Sequence, residues 1–417
     1  MIGTLAALAA VAWTPLALAQ VSDEAATAGA QGQLLADCFK GQNCLAKRTA
    51  WEHFTDDLPS CMLAARVWWS PRPAGIPVTL VTQASAERLD QLRAQCATWR
   101  GPLAAALYLP LYNPSSHELS AESKQKLQAM VAGIDELFQK SESNNSGSSC
   151  QLRLILLYEL FADQKAMVLY PVNSLRNWAR LMADTDLLTN IDVDMIPSVS
   201  ISEVLGDAAQ RAVYEEGCRT GSVYVWPAFE THCAGALYAD TVAVQGKGSL
   251  PEALKKCLRR MRPKAPFSHN ATNYDKWMTA TEPYDITYSP QFEPWFLSWR
   301  WGTLWYDYRY RGYGKNKIVQ AAAMNASGTT WRVSPDGYLV HRKHAESRVR
   351  KEFLKAKFSK KDMDALRGTV YEHVESLWRA TGQELAAGSY MARLERSFTR
   401  CMDSLPWWKR EQGGGSG

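Results

Sequence analysis

The stretch Leu187–Ser198 reads LLTNIDVDMIPS. Apolar Leu187, Leu188 and Ile191 lead into two aspartates one valine apart, and Pro197 closes the run. This is the pattern of a buried strand that ends at Asp192-Val193-Asp194. Side chains two apart in an extended chain point to the same side, so both carboxylates can face one cation at the strand's end. Hard oxygen ligands of this kind suit Mg²⁺ or Mn²⁺, which keep waters and take further ligands from a substrate's phosphates. A strand-end acid pair that merely caps the next helix is the alternative. The rest of the chain decides between them.

Upstream, strand and helix patterns alternate. Ile76–Gln83 reads as a strand, Ala84–Ala97 as an amphipathic helix and Pro102–Leu109 as a second buried strand. Ser120–Gln139 reads as a second helix, Leu152–Leu157 as a third strand, and Ser141–Ser149 as a polar loop. Nearly continuous apolar strands alternating with helices predict a parallel sheet covered on both faces. In Pro171–Ala183, residues Val172, Leu175, Ala179 and Met182 recur at helical spacing. Its other face offers Asn173, Arg176 and Asn177, where an arginine can clamp a phosphate and the amides can hydrogen-bond a nucleotide. This order places the aspartates at the carboxyl edge of the sheet, where ligands sit in open α/β folds.

Downstream, Ser222–Glu230 and Trp331–Val340 each read as one strand, the second ending at His341-Arg342-Lys343-His344. Phe296–Trp301 is a Trp-rich strand, Tyr306–Lys317 an aromatic and glycine loop, and Ile318–Asn325 a helix. From Ala345 the chain is charged and helical. Lys255–Lys264 reads as the end of a solvated helix.

The 417 residues are 46% apolar, enough for one large domain or two ordinary ones, and the net charge of +5 is scattered. That excludes a nucleic-acid footprint. The first nineteen residues carry no charge and end in Ala17-Leu18-Ala19, a small-x-small cleavage pattern. They read as a signal peptide or an uncleaved anchor, the only membrane attachment expected. Nine cysteines without C-x-x-C spacing argue for disulfides in a secretory compartment, with Cys38/Cys44 and Cys218/Cys233 as local pairings and one thiol left over. Asn144, Asn270 and Asn325 begin N-glycosylation triplets. Residues 20–75 read as a stem and docking segment, and 411–417 as a linker-like tail.

Six motifs now stand in order: YPVNSLRNWA (Tyr170–Ala179), DVDMIPS (Asp192–Ser198), WPAFE (Trp226–Glu230), FEP (Phe292–Pro294), YDYRYRGYGKNK (Tyr306–Lys317) and YLVH (Tyr338–His341). Together they resemble glycosyltransferase family 49, which includes the β-1,4-glucuronyltransferase of dystroglycan glycosylation and the glucuronyltransferase domain of the LARGE enzymes. The resemblance spans roughly 76–344. It implies an α/β fold of the GT-A nucleotide-sugar type, with a mixed, mostly parallel central sheet, helices on both faces and a helical cap over 345–410. It also implies a UDP-sugar donor, Mn²⁺ or Mg²⁺ in its place, inversion at the anomeric carbon, a glycan or glycoprotein acceptor and residence in the Golgi or secretory lumen.

Carried over residue by residue, Asp192, Asp194 and His341 match the metal ligands, with His344 the nearby alternative. Thr82 and Gln83 match the strand that meets uridine. Asn173, Arg176, Asn177 and Asp192 match the donor side. An acceptor hydroxyl needs a carboxylate base within hydrogen-bond reach, and the candidates are Asp307 first and Glu293 second. Asp307 holding the Gly312/Gly314 turn by backbone bonds is the alternative. Tyr313 and Trp295 are candidates to stack on a sugar ring. Tyr308 and Tyr310 depart from the family's loop, which leaves donor sugar and acceptor open. Arg309, Arg311, Lys315 and Lys317 are the nearby cations for a glucuronate carboxylate. Two other readings are a catalytically silent relative that binds UDP-sugar or glycan as a scaffold, and a metal phosphoesterase, which would need more His and Asp ligands.

Overall fold

The computed structural model describes residues 23–42, 44, 49–51, 61–143, 150–233, 235–262, 266–358 and 368–409. The leader at 1–19, the triplet at Asn144 and the tail at 411–417 lie outside these residues. Among the described residues thirteen strands build two sheets. The strands are β1 Leu63–Trp69, β2 Val78–Ser85, β3 Pro102–Tyr112, β4 Gln151–Phe161, β5 Leu187–Asn190, β6 Met195–Pro197 and β7 Ser222–Val225. The chain continues with β8 Ala228–Thr231, β9 Leu258–Arg260, β10 Tyr284–Ile286, β11 Phe296–Trp299, β12 Thr330–Val333 and β13 Leu339–His341. The large sheet has the order β1-β4-β3-β2-β5-β11-β7-β12-β10 and the small one β6-β13-β8-β9.

The run β4-β3-β2-β5 is parallel, as the continuous apolar strands predict. Strand β11 lies antiparallel between β5 and β7, which makes the sheet mixed. The two faces are buried by alternation. Leu103, Ala105 and Leu107 of β3 pack with Leu92 and Ile134 from helices Leu89–Thr98 and Ala121–Glu142. Ala104, Ala106 and Tyr108 pack on the opposite face with Leu175, Trp178 and Met182 from and just beyond the helix Val172–Leu181. Burying a side chain of this size stabilises by roughly 1.5–3 kcal/mol, so these two layers hold the large sheet in place.

Two expected strands are each broken in two. Ser222–Glu230 divides at Trp226-Pro227 and Trp331–Val340 divides after Val333, each half entering a different sheet. Pro227 has no N–H for a ladder, and its carbonyl accepts from Leu339 N at 2.8 Å. The chain thus crosses from the large sheet to the small one three times: β5 to β6, β7 to β8 and β12 to β13. The first crossing is Asp192-Val193-Asp194.

Other differences have simple causes. The Lys255–Lys264 helix end is the strand β9 beyond Cys257, paired with β8. Asn270–Ser289, expected to be mostly loop, holds the short helix Tyr274–Thr279 and β10. Residues 20–75 contribute the helix Asp23–Asp37 and β1, which closes the sheet edge antiparallel to β4. Beyond the sheets, helices Arg348–Phe358, Val370–Ala386 and Arg396–Ser404 form the expected helical cap.

The cysteine pairing differs from the local pairs expected. The disulfides are Cys38–Cys401, Cys44–Cys61, Cys96–Cys150 and Cys233–Cys257, and the buried Cys218 is free. Cys218 sits in a helix whose inner face packs on the large sheet, so it turns away from Cys233 on the surface.

Candidate active site

The Asp192–Asp194 turn lies on the seam between the sheets and is held from beneath. Gln95, fully buried, donates its Nε2 to the carbonyls of Asp192 and Met195, each at 2.9 Å. Ile191 N bonds Val81 O at 3.0 Å, and Arg342 N bonds Asp194 O at 2.7 Å. Val193 is buried at 3% exposure while both aspartate side chains stay 23% exposed. The strand expected to end at Asp192-Val193-Asp194 ends at Asn190, and a turn rather than strand alternation leaves both carboxylates on the open side.

Their partners separate them. Asp192 receives Arg176 Nη2 at 2.7 Å on Oδ1, and Lys317 Nζ at 2.8 Å and Trp295 Nε1 at 3.1 Å on Oδ2. Burial would raise its pKa, but Lys317 and Arg176 outweigh that and hold the carboxyl far below the usual range. Asp194 Oδ2 lies 2.9 Å from His344 Nε2, 3.6 Å from His341 Nε2 and 3.6 Å from Arg88 Nη1. Against burial, the two imidazoles hold its carboxyl well below the usual range. The bond to Asp194 in turn raises His344. Burial lowers Lys317 in spite of Asp192.

One oxygen of Asp194 and one nitrogen each from His341 and His344 lie within 4.8 Å of one another. A carboxylate with two imidazoles is a donor set that suits Mn²⁺ and its neighbours, so these residues fit a divalent cation. Both His341 and its alternative His344 are in the cluster. Asp192, expected as a ligand, is instead matched by two cations and an indole.

Beside Asp192 runs a narrow cleft lined by Val81, Thr82, Gln83, Arg176, Asn190, Ile191, Asp192, Tyr306 and Lys317. Its volume is about 10 Å³, room for a single water. Four expected donor-side residues, Thr82, Gln83, Arg176 and Asp192, meet here. Gln83 accepts from Tyr170. Burial pushes the Tyr306 hydroxyl up to about 12, so that wall stays neutral. Thr82 Oγ1 and both amide atoms of Asn190 are buried with no protein partner. Each orphaned polar atom costs about 1–3 kcal/mol. A wider open hollow of about 510 Å³ lies along Arg260, Tyr274 and Tyr284, and none of the expected site residues line it.

Other expectations are corrected. Asn173 donates to the carbonyls of Asp307 and Asn316 at 2.9 and 3.3 Å. Asn177 clamps the backbone of Tyr306, donating to its carbonyl at 2.7 Å and accepting its N–H at 2.9 Å. Both amides are buried and fasten the Tyr306–Lys317 loop. Asp307 is 1% exposed, paired with Arg309 at 2.7 Å and bonded by the Tyr390 hydroxyl at 3.2 Å. A base must reach the proton it takes, and this carboxylate faces the helical cap. The alternative role, bracing the loop, is the one the contacts fit.

Gly312 (φ +77) and Gly314 (φ +100) adopt the left-handed backbone expected of them, but their close approach is to the cap. A Cβ would meet Val370 at 3.0 Å and Phe353 at 2.8 Å respectively. Trp295 is 5% exposed, with the His269 ring stacked on it at 5.3 Å and Lys317 Nζ 3.7 Å from its ring. It supports the site without offering a free face. Tyr313 packs edge-on to Phe353 at 5.2 Å.

Glu293, the second candidate base, is held in an ion pair. Arg262 Nη1 reaches its Oε1 at 3.1 Å, and its side chain is 17% exposed. Lys317 feels its charge, and Arg262 feels that of Asp192. Among the nearby cations, Arg311 is bound to Glu159, Lys315 lies over Trp378 and Lys317 reaches Asp192.

A model of the family described as "Glycosyl-transferase for dystroglycan" matches residues 77–370. The chain belongs to this family. Curated proteins similar to it include the glycosyltransferase-like protein gnt14 of Dictyostelium discoideum, 29% identical over 65% of this chain and 38% of that protein. The xylosyl- and glucuronyltransferase LARGE2 of Rattus norvegicus is 29% identical over 79% of this chain and 43% of its own length. The chain thus spans about two fifths of these relatives. Among solved structures, S. aureus TarS in complex with UDP-GlcNAc overlaps 79% of this chain and 81% of its own, at 12% identity and a TM-score of 0.34. GalNAc-T7 with UDP, GalNAc and Mn²⁺ covers 76% and 58%, at 10% identity and a TM-score of 0.31. Overlaps this low carry no weight for the site.

Within the family framework, sequence reading missed Gln95, Arg88, Asn190, Arg262 and His269. Asn190 had only a weak signal, as the residue on which the β5 run ends. Gln95, Arg88, Arg262 and His269 had none, since they reach the seam from distant segments. No described helix is long and apolar enough to cross a membrane.

Proposed function

We infer that this chain is a divalent-metal-dependent inverting glycosyltransferase. It moves a sugar, glucuronate by preference, from a UDP-sugar to a hydroxyl of a glycan or glycoprotein. The observation that carries this reading is the Asp194–His341–His344 cluster one residue from a cleft edged by Asp192, Arg176 and Lys317. Mn²⁺, or Mg²⁺ in its place, would be held by Asp194, His341 and His344. When bound, such an ion neutralises charge developing on a diphosphate leaving group.

The chain's own groups do the rest. Arg176 and Lys317 hold Asp192 ionised and supply positive charge along the cleft, where a pyrophosphate is anionic. Thr82 and Gln83, which line the cleft, are the groups we assign to the nucleoside. Glu293, ion-paired with Arg262, is the carboxylate we assign to take the acceptor proton. The four disulfides fit an oxidising compartment and thus a secretory-lumen enzyme.

The test is a donor screen. Release of UDP from UDP-glucuronate, UDP-xylose, UDP-GlcNAc and UDP-galactose is followed with Mn²⁺ and with EDTA, with and without glycan acceptors. Metal-dependent turnover of UDP-glucuronate is expected. Tight UDP–Mn²⁺ binding without turnover of any donor would instead make the chain a silent binding relative.

A further inference from the structure

We propose that Asn270 carries an N-linked glycan whose first sugar lies on the ring of Phe267, a modification resting on the secretory-lumen reading above. Asn270-Ala271-Thr272 meets the acceptor rule, an asparagine two before a threonine with no proline between. Asn270 is exposed and begins the one-turn helix Asn270–Thr272. It lines the open hollow of about 510 Å³, a volume that holds drug-sized ligands elsewhere. A glycan leaving this side chain therefore meets space rather than protein. Asn273, Lys276 and Thr287, all exposed along the same hollow, offer hydrogen-bonding groups to its hydroxyls.

Phe267 stands three residues earlier and is 50% exposed. Three residues span at most about 11 Å even when extended, and the turns Pro266–Ser268 and Asn270–Thr272 shorten the reach. A pyranose has a face of C–H groups, and laying it on an aromatic ring buries apolar surface that water otherwise covers. The platform is held in place beforehand. The Ser268 carbonyl accepts from Glu293 N at 3.0 Å, and the Thr272 carbonyl accepts from the Tyr284 hydroxyl at 2.7 Å. A turn already fixed at both ends loses little freedom when a sugar settles on it. Asn325, the other described triplet, is also exposed but follows Ala321-Ala322-Ala323-Met324, with no ring to stack on.

In the modification, the Asn270 amide nitrogen bonds to the anomeric carbon of an oligosaccharide carried on a lipid diphosphate. The bond from that carbon to the diphosphate oxygen breaks, the diphosphate leaves with the electron pair, and the amide gives up one proton. The experiment expresses the full chain, with its own leader, in a eukaryotic cell. Peptide mass spectrometry maps its glycans, and alkylation counts its thiols. Thermal unfolding is compared for wild type, Phe267→Ala, Asn270→Gln and the double variant. A glycan is expected on Asn270. While it is present, Phe267→Ala should lower the unfolding temperature by about 1–2 °C. In the Asn270→Gln background the same change should have no effect. Should Asn270→Gln not fold, wild type and Phe267→Ala are compared after an amidase has removed their glycans.

A glycan on Asn325 with none on Asn270 would overturn the proposal and leave the compartment standing. Four disulfides formed on a chain without any glycan would do the same. An equal effect of Phe267→Ala with and without the glycan would also overturn it, since the ring would then serve the fold alone. Reduced thiols together with bare asparagines would reject the compartment, and the proposal with it.

Discussion

Lys317 Nζ lies 2.8 Å from Asp192 Oδ2, in a site where Asp192 also receives Arg176 at 2.7 Å. The acid that sequence motifs assign to a metal is thus neutralised twice by the protein itself. Removing one partner of a buried ion pair costs up to 3–5 kcal/mol. Here Arg176 remains and Asp192 is 23% exposed, which lowers the cost. Lys317→Met should destabilise by about 1–2 kcal/mol in urea unfolding at neutral pH. It should also raise the KM for donor more than it lowers kcat. Unchanged stability would mean that Lys317 is a bystander.

Stability should depend on pH in two opposed ways. Asp192 and Asp194 titrate below the usual carboxylate range when folded. Their contribution is therefore full above the unfolded value of about 4 and is lost as pH falls through the depressed folded values. His344 titrates above its usual value. Its contribution is full below about 6.5 and fades as pH rises through the folded value. Metal-free stability, measured by urea unfolding with EDTA present, should peak between about pH 5 and 6.5. Asp192→Asn should flatten the acid side, and His344→Gln the neutral side.

The three-residue cluster predicts how metal affinity divides. His341→Ala and His344→Ala should each weaken Mn²⁺ by at least about tenfold, read as loss of the Mn²⁺-induced rise in unfolding temperature. Asp194→Asn should abolish that rise. Asp192→Asn should leave much of it while weakening UDP. A larger metal loss at Asp192 than at His344 would restore the ligand set read from the motifs.

The two candidate bases should part cleanly. Glu293→Gln should lower kcat by about 10²–10⁴ with UDP–Mn²⁺ binding retained. Arg262→Gln should show a smaller loss in the same direction, and Arg262→Lys partial recovery. Asp307→Asn breaks a buried ion pair with Arg309 and should cost about 3 kcal/mol of stability, with activity falling only as the folded fraction falls. The reverse pattern would return the base to Asp307.

Most of the frame was legible because it follows from periodicity. The apolar runs of β2, β3 and β4 announce a covered parallel sheet. In Ile191-Asp192-Val193-Asp194 the apolar side chains are buried and the acids partly exposed, as their polarity announces, although a turn beyond β5 presents them rather than the strand itself. What could not be read is long-range. Asn173 and Asn177 look like free polar positions on a helix face, and only the folded chain brings Asp307 O and Tyr306 O against them. The break at Trp226-Pro227 is hidden because apolar character does not change there, whereas Ser334-Pro335-Asp336-Gly337 after Val333 is a turn signal that the strand reading passed over. Disulfide partners are equally hidden, since Cys38 and Cys401 are 363 residues apart.

That cystine has a practical consequence. It staples the first described helix to the last. In the chain-entropy picture, closing so long a loop removes roughly 6 kcal/mol of freedom from the unfolded chain. Trimming either terminus past its half-cystine should therefore weaken the opposite end as well. A reducing bacterial host should yield material whose two extremities fray together, whereas an oxidising one should deliver the closed ring.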